Sequence, residues 1–183
     1  MSAPSPTPPT AAPGPSLRLR PLRADDQPAF VAAHRSMAAD GFTFGLGYEP
    51  GMAWAAYLAE LERQRTGIGL ADGLVPATFL VACVGATIVG RSSVRHALND
   101  YLARQGGHIG YGVLATHRRR GHAIEILRQS LVIARSLGVD RVLVTCDDDN
   151  LGSATVIERC GGVFESIIGD IVTDEPIRRY WFD

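Results

Sequence analysis

Apolar positions along this chain alternate between two periods. Leu17 to Arg20 alternates apolar and basic residues ahead of Pro21 and predicts a first strand. Asp25 and Asp26 suit a helix start, and Phe30, Val31, His34 and Met37 follow at helical spacing. Gly41 to Gly51 (GFTFGLGYEPG) is a glycine-rich aromatic loop. Pro50 suits the first turn of a second helix reaching about Thr66, with Trp54, Leu58, Leu61 and Arg65 on its 3.6-residue period. Two β-rich runs come next, Ala77 to Val84 and Thr87 to His96, with a tight hairpin at Gly85-Ala86. A short helix or loop over Ala97 to Arg104 is punctuated by Gly106-Gly107, and His108 to Ala115 reads as a further strand. Gly110 and Gly112 inside that strand mark a bulge or a close backbone approach. A long helix is expected from about Gly121 to Leu137, its buried face carrying Ala123, Leu127, Leu131 and Ala134 with Ile124 and Ile126 beside it, and Gly138 stops it. Arg141 to Cys146 is a strand buried on both faces. Asp147 to Asn150 is a turn that caps a helix beginning near Leu151 and ending at Gly161-Gly162. Strands over about Val163 to Ile168 and Ile177 to Phe182 complete the pattern. The order β-α-α-β-β-β-α-β-α-β-β describes a mixed α/β sheet with crossover helices.

Composition narrows this to one domain. Residues 1–16 (MSAPSPTPPTAAPGPS) offer no bulky apolar group to offset ordering entropy and are expected to form a disordered tail, leaving residues 17–183 as a single domain. The tail lacks the features of a signal peptide, and no apolar run reaches the ~18 residues of a membrane span. A formal net charge of -1 argues against a dedicated nucleic-acid binder. Cys83, Cys146 and Cys160 are widely spaced with no CxxC, so neither a disulfide framework nor a metal site is indicated, and a reducing, cytoplasmic location is expected. All 18 basic Lys/Arg positions are arginine.

The chemistry concentrates where the strand at 108–115 meets the long helix, at Arg118-Arg119-Arg120-Gly121-His122-Ala123. A helix N-terminus has unpaired N–H groups and a positive dipole end, which suit an anion. Gly121 admits close backbone approach, Ala123 keeps the turn small, and the arginines add positive charge. These features describe a cradle for a diphosphate. The segment is neither a Walker loop nor a dinucleotide fingerprint. An arginine triplet also suits a solvated face or an RNA contact.

The spacing V-x-x-x-x-R-x-x-G-x-A, met here by Val113, Arg118, Gly121 and Ala123, resembles motif A of the GNAT N-acetyltransferase superfamily. Val75 to Gly162 resembles a bacterial branch of that superfamily through segments of the type VPATF, RxxVRHxLN, GGHIGYGV, VTCDxDN and VIExxGG, and RRYW at 178–181 fits as well. The resemblance implies a mostly antiparallel sheet with a splayed central strand pair and flanking helices. It implies acetyl-CoA as co-substrate, no metal, a small-molecule or peptide amine as acceptor, and a possible homodimer through the terminal strands. Cofactor contacts carry over to Tyr111 and Val113 on the splayed strand, to Arg118, Arg119, Arg120, Gly121, His122 and Ala123 in the turn, and to Asn150 and Ser153 at the next helix. The Val113 N–H would polarise the thioester carbonyl.

Transfer is then direct, from thioester to a neutral amine. Many relatives protonate the leaving thiolate with a tyrosine seven residues after the asparagine; this chain has Ile157 there. Ser153, Cys146, Tyr180 or water are the substitutes. For the base, His108, His96 and Glu49 are candidates, although strand parity sets His108 opposite Val113 unless a bulge intervenes. The aromatic loop would offer Phe42, Phe44, Tyr48 and Glu49 to the acceptor, or tuck its rings into the core. Two competing functions stay open: a non-catalytic acyl-CoA-binding module, suggested by Ile157, and acetylation of an aminoacyl-tRNA, suggested by the arginines.

Overall fold

The computed structural model describes residues 16–183, so the expected tail lies outside the described residues except for Ser16. Strands β1 (Leu17–Arg20), β2 (Ala77–Val84), β3 (Thr87–Arg95) and β4 (Ile109–Val113) form one antiparallel sheet in that order. Strands β5 (Val142–Asp147), β6 (Val163–Gly169) and β7 (Pro176–Phe182) form a second antiparallel sheet ordered β5-β7-β6. Helices α1 (Gln27–Ala38) and α2 (Trp54–Thr66) pack on β3 and β2. Helix α4 (His122–Ser136) crosses β1, β3 and β4, and α5 (Leu151–Arg159) packs on α4 and β5. A short helix, α3 (Asp100–Arg104), joins β3 to β4.

Each layer follows from the apolar pattern. Phe30, Ala33 and Met37 of α1 and Trp54, Tyr57 and Leu61 of α2 bury their stripes against Phe79 and Val81 of β2. On the opposite side Leu127 and Ala134 of α4 meet Val94, Ile109, Val142 and Val144. Ile126, expected beside the buried stripe, is fully buried against Val89 and Val113. Polar groups set the position of α4. Ser130 hydrogen-bonds Ser92 of β3 at 2.7 Å, and Gln129 pairs with both the Leu19 N–H and the Leu17 carbonyl of edge strand β1. That double contact satisfies an edge that would otherwise expose unpaired backbone. It also anchors α4 at mid-length against β1.

Two expectations need correction. Helix α2 begins at Trp54 rather than at Pro50: residues 50–53 stay irregular, and the Trp54 indole N–H bonds the Arg23 carbonyl at 3.1 Å. Burying that aromatic anchor decides where the helix starts. The glycines of β4 make no bulge, because β4 pairs with β3 in unbroken register from Val94↔Ile109 to Gly90↔Val113. The irregularity in this sheet lies instead at Ala82/Cys83, between β2 and β3. Gly112 serves the other expected purpose, close approach: a Cβ there would sit 2.6 Å from the Phe42 ring.

Candidate active site

The two sheets touch at one end and part at the other. His108 makes the closed end. Its backbone N–H bonds the Leu143 carbonyl at 2.7 Å, and its Nδ1 accepts the Leu143 N–H at 2.9 Å. Burial, assisted by Arg95, holds the imidazole below its ordinary pKa and so neutral, as an acceptor at Nδ1 requires. Beyond this clasp β4 and β5 belong to different sheets.

Strand parity decides what faces the gap. The Arg95 N–H bonds the His108 carbonyl and the Leu114 N–H bonds the Val89 carbonyl, so even-numbered positions of β4 face β3. Antiparallel pairs alternate, so Tyr111 and Val113 turn their backbone groups the other way, toward β5. The Val113 carbonyl accepts Arg118 Nε at 3.1 Å. Arg118 also pairs with Asp40 at 2.8 Å and thus ties the end of β4 to the chain following α1. This exposed pair positions more than it stabilises.

The turn into α4 has the shape of an anion cradle. Arg119 and Gly121 take left-handed backbone angles, φ 64 and φ 80, the kind of turn geometry from which successive N–H groups form anion-binding concavities. Gly121 is the N-cap of α4 and has no side chain to satisfy the first N–H groups of the helix. A cleft of about 880 Å³ opens over this turn, lined by Arg118, Arg119, Gly121, His122 and Ala123 together with Val113. Arg120 is exposed and does not line it. Burial holds the His122 imidazole below its ordinary value, with His117 and Arg120 adding repulsion. Across the gap Asn150 caps α5 by accepting the Ser153 N–H at 3.0 Å, and both residues line the cleft.

A second cleft of about 350 Å³ adjoins the first. Phe42, Tyr111, Asp147, Asn150 and Ser153 line both. The two clefts therefore meet where β4 and β5 have parted.

The other expected residues scatter. Cys146 lines the second cleft, but burial pushes its thiol up to about 11, so it keeps its proton. Tyr180 is fully buried with its hydroxyl on Glu158 at 3.1 Å, and His96 pairs with Thr78 at 2.8 Å. Neither lines a cleft. Glu49 is exposed and lines neither cleft. The aromatic loop divides its labour: Phe44 and Tyr48 pack around Phe30 in the core, while Phe42 reaches the junction.

Tyr111, expected here for its backbone, brings its side chain as well, and Arg91 and Arg95, which the sequence did not single out, converge with it. The Tyr111 hydroxyl is buried without a hydrogen-bond partner. Burial pushes this phenol well above its ordinary value, opposed by the Ser153 side chain. Arg91 and Arg95 of β3 line the second cleft from the other face of the sheet. Their signal was present as two charges four residues apart, on one face of an otherwise buried strand.

Solved structures share this fold. Among solved structures the chain resembles RimJ of Mycobacterium smegmatis in complex with a CoA disulfide, at TM-score 0.66 and 18% identity, covering 91% of this chain and 81% of that one. It resembles an N-acetyltransferase from Staphylococcus aureus Mu50 at TM-score 0.63 and 16% identity, with coverage of 92% and 98%. It also resembles the microcin C7 self-immunity acetyltransferase MccE in complex with acetyl-CoA and AMP, at TM-score 0.64 and 15% identity, covering 91% of each chain. A search of curated proteins by sequence gives no match. The family model described as an acetyltransferase (GNAT) domain matches residues 16–163. With a splayed strand pair, an uncapped helix N-terminus facing the gap and that match over most of its length, the chain belongs to the GNAT acetyltransferase family.

Proposed function

We propose that this chain transfers an acetyl group from acetyl-CoA to the amine of a small molecule or peptide, within a single domain over residues 17–183. The observation that carries the reading is the meeting of the two clefts at the parted strands, one of them floored by the uncapped turn at Gly121. The larger cleft takes acetyl-CoA. Its diphosphate suits the N–H groups of Arg119 to Ala123, with arginine charge beside them. The outward edge at Tyr111 and the Val113 N–H suits the amide-bearing arm, as an added strand would, while the Val113 carbonyl is held by Arg118. Asn150 and Ser153 face that arm across the gap.

The acceptor enters through the smaller cleft. Asp147 draws a cationic amine to the junction and, with solvent, takes its proton. The neutral amine nitrogen forms the new C–N bond and gives its second proton to solvent, while the C–S bond breaks and the sulfur leaves as thiolate. The Val113 N–H stabilises charge on the carbonyl oxygen. We assign the Tyr111 phenol, protonated and unpartnered, as donor to the departing sulfur. Ile157, fully buried in the core, leaves no polar group at the position relatives use for this step. His108 acts at a distance by clasping the strands rather than as a base.

No described helix is long and apolar enough to cross a membrane. The three free thiols suit a reducing compartment, the cytoplasm. A homodimer through the terminal strands would use β6, the edge of its sheet, which exposes Val163, Phe164 and Ile167.

Incubation with acetyl-CoA and a broad amine panel, read by thiol release, tests the reading. Release above hydrolysis with at least one amine is expected. Buried Ile157 favours one second reading, a module that binds acyl-CoA without turnover. Calorimetric binding of acetyl-CoA with no thiol release from any amine would establish that alternative and reject the first.

A further inference from the structure

Among the described residues, two arginines drawn into the fold lack a counter-charge. Arg91 is 6% exposed and Arg95 partly buried, yet neither has a carboxylate partner among the described residues. Arg91 donates to the Gly110 carbonyl at 3.0 Å and the Thr43 carbonyl at 2.9 Å, and its guanidinium lies 4.5 Å from the centre of the Phe42 ring. Its Nε has no partner at all. Arg95 donates to the Gly106 and Gly107 carbonyls at 2.8 and 2.9 Å. Both guanidinium groups converge above Gly110: a Cβ there would lie 3.6 Å from Arg91 Nη1 and 3.8 Å from Arg95 Nη1 and Nη2. Burial, with repulsion from Arg95, pushes Arg91 down to about 10, still a cation at neutral pH.

Carbonyl oxygens orient these groups but carry no net charge. Buried like charges held side by side are unfavourable unless an anion completes the set. Planar guanidinium forks match a carboxylate in two places at once. The same cleft carries Asp147 at the junction and Asp170 at its outer rim. Asp170 is already turned onto the Val172 and Thr173 N–H groups, so it faces its own loop rather than the arginines. The cleft is thus positive over Gly110 and negative where the two clefts join.

We propose that the acceptor is an amine that also carries a carboxylate, with the anion seated on Arg91 and Arg95 and the nitrogen presented beside Asp147. This rests on the acetyl-transfer reading and deepens it. A zwitterionic amino compound fits both poles of the cleft, whereas a polyamine would bring positive charge onto the arginine pair.

The test compares matched acceptors that differ only at the carboxylate: free amino acids against their amides and methyl esters, plus a polyamine, with thiol release as readout. The wild-type protein is expected to show kcat/KM at least about tenfold higher for the acids, the factor expected of one charge-assisted contact. In Arg95→Gln that ratio is expected to fall toward one, mainly through KM for the acid. Amides or polyamines used as well as acids by the wild type would overturn the inference while leaving acetyl transfer intact. A ratio unchanged in Arg95→Gln would also overturn it, by showing that Arg95 serves only the loop at Gly106-Gly107. No thiol release from any acceptor would remove both readings together.

Discussion

The larger cleft and the smaller one share a wall but are built from different parts of the chemistry of a polypeptide. The side proposed for acetyl-CoA is made of backbone. Its N–H groups come from one continuous turn, Arg119 to Ala123, and its strand edge from Tyr111 and Val113. The arginines beside it are exposed, and Arg120 does not reach the cleft. The side proposed for the acceptor is made of side chains from distant segments: Phe42 after α1, Arg91 and Arg95 on β3, and Asp147 at the end of β5. Backbone recognition tolerates sequence change at most positions, because any residue that keeps the angles keeps the N–H groups. Side-chain recognition does not, and the acceptor side is where members of a shared fold can diverge.

The comparison breaks most readily at the junction, where both sides depend on one group. Tyr111→Phe is expected to lower kcat about a hundredfold, the scale of a lost proton donor, with little change in KM for acetyl-CoA. Removing a buried hydroxyl that has no partner should leave stability the same or raise it by about 1 kcal/mol. Steady-state kinetics with thermal unfolding would check this, and a variant as active as wild type would remove Tyr111 from the chemistry.

The next effect sharpens the backbone side. Gly121 sits at φ 80 with open space around a would-be Cβ, so strain rather than collision governs substitution there. Gly121→Val forces a β-branched residue into the left-handed region at about 1–2 kcal/mol and should weaken acetyl-CoA binding roughly tenfold by calorimetry. Arg120→Ala should change it far less, as its side chain lies outside the cleft. If Arg120→Ala matched the glycine variant, charge rather than backbone would be making the cradle.

The smallest effect on turnover is expected at the clasp that sets the splay. His108→Ala leaves the Leu143 N–H without its acceptor, at about 1–3 kcal/mol in stability, with little change in kcat of the folded fraction. The sign with pH is fixed by the direction of the shift. The folded imidazole is held below the ordinary 6.5, so the unfolded chain binds the proton more readily. The stabilisation is complete above about 6.5 and is lost as pH falls from there through the lower folded value. Denaturant unfolding between pH 8 and pH 5 should show a steeper acid loss in wild type than in His108→Ala.

Much of the fold was legible from period alone. The strand runs at 17–20 and 77–84, the hairpin at Gly85-Ala86 and the cap at Asn150 stand where local chemistry puts them, because each depends on neighbours within a few residues. The start of α2 was not legible, since Trp54 is placed by the Arg23 carbonyl, 31 residues away. The glycine at 112 was legible as a special position but not as the seat of Phe42, a contact that exists only once α1 lies across β3. His108 showed a titratable side chain, and its partner, the Leu143 N–H, is 35 residues distant.

By itself, then, the sequence determined the order of the elements and the phosphate-type turn, because helix ends, strand alternation and left-handed glycines are local properties of the backbone. The tertiary structure alone decided which polar groups work together. It set the Tyr111 hydroxyl in a gap without a partner and brought Arg91 and Arg95 over Gly110. The reason is physical: a side chain's charge, burial and partners depend on what packs against it, and here those neighbours come from segments distant in the sequence.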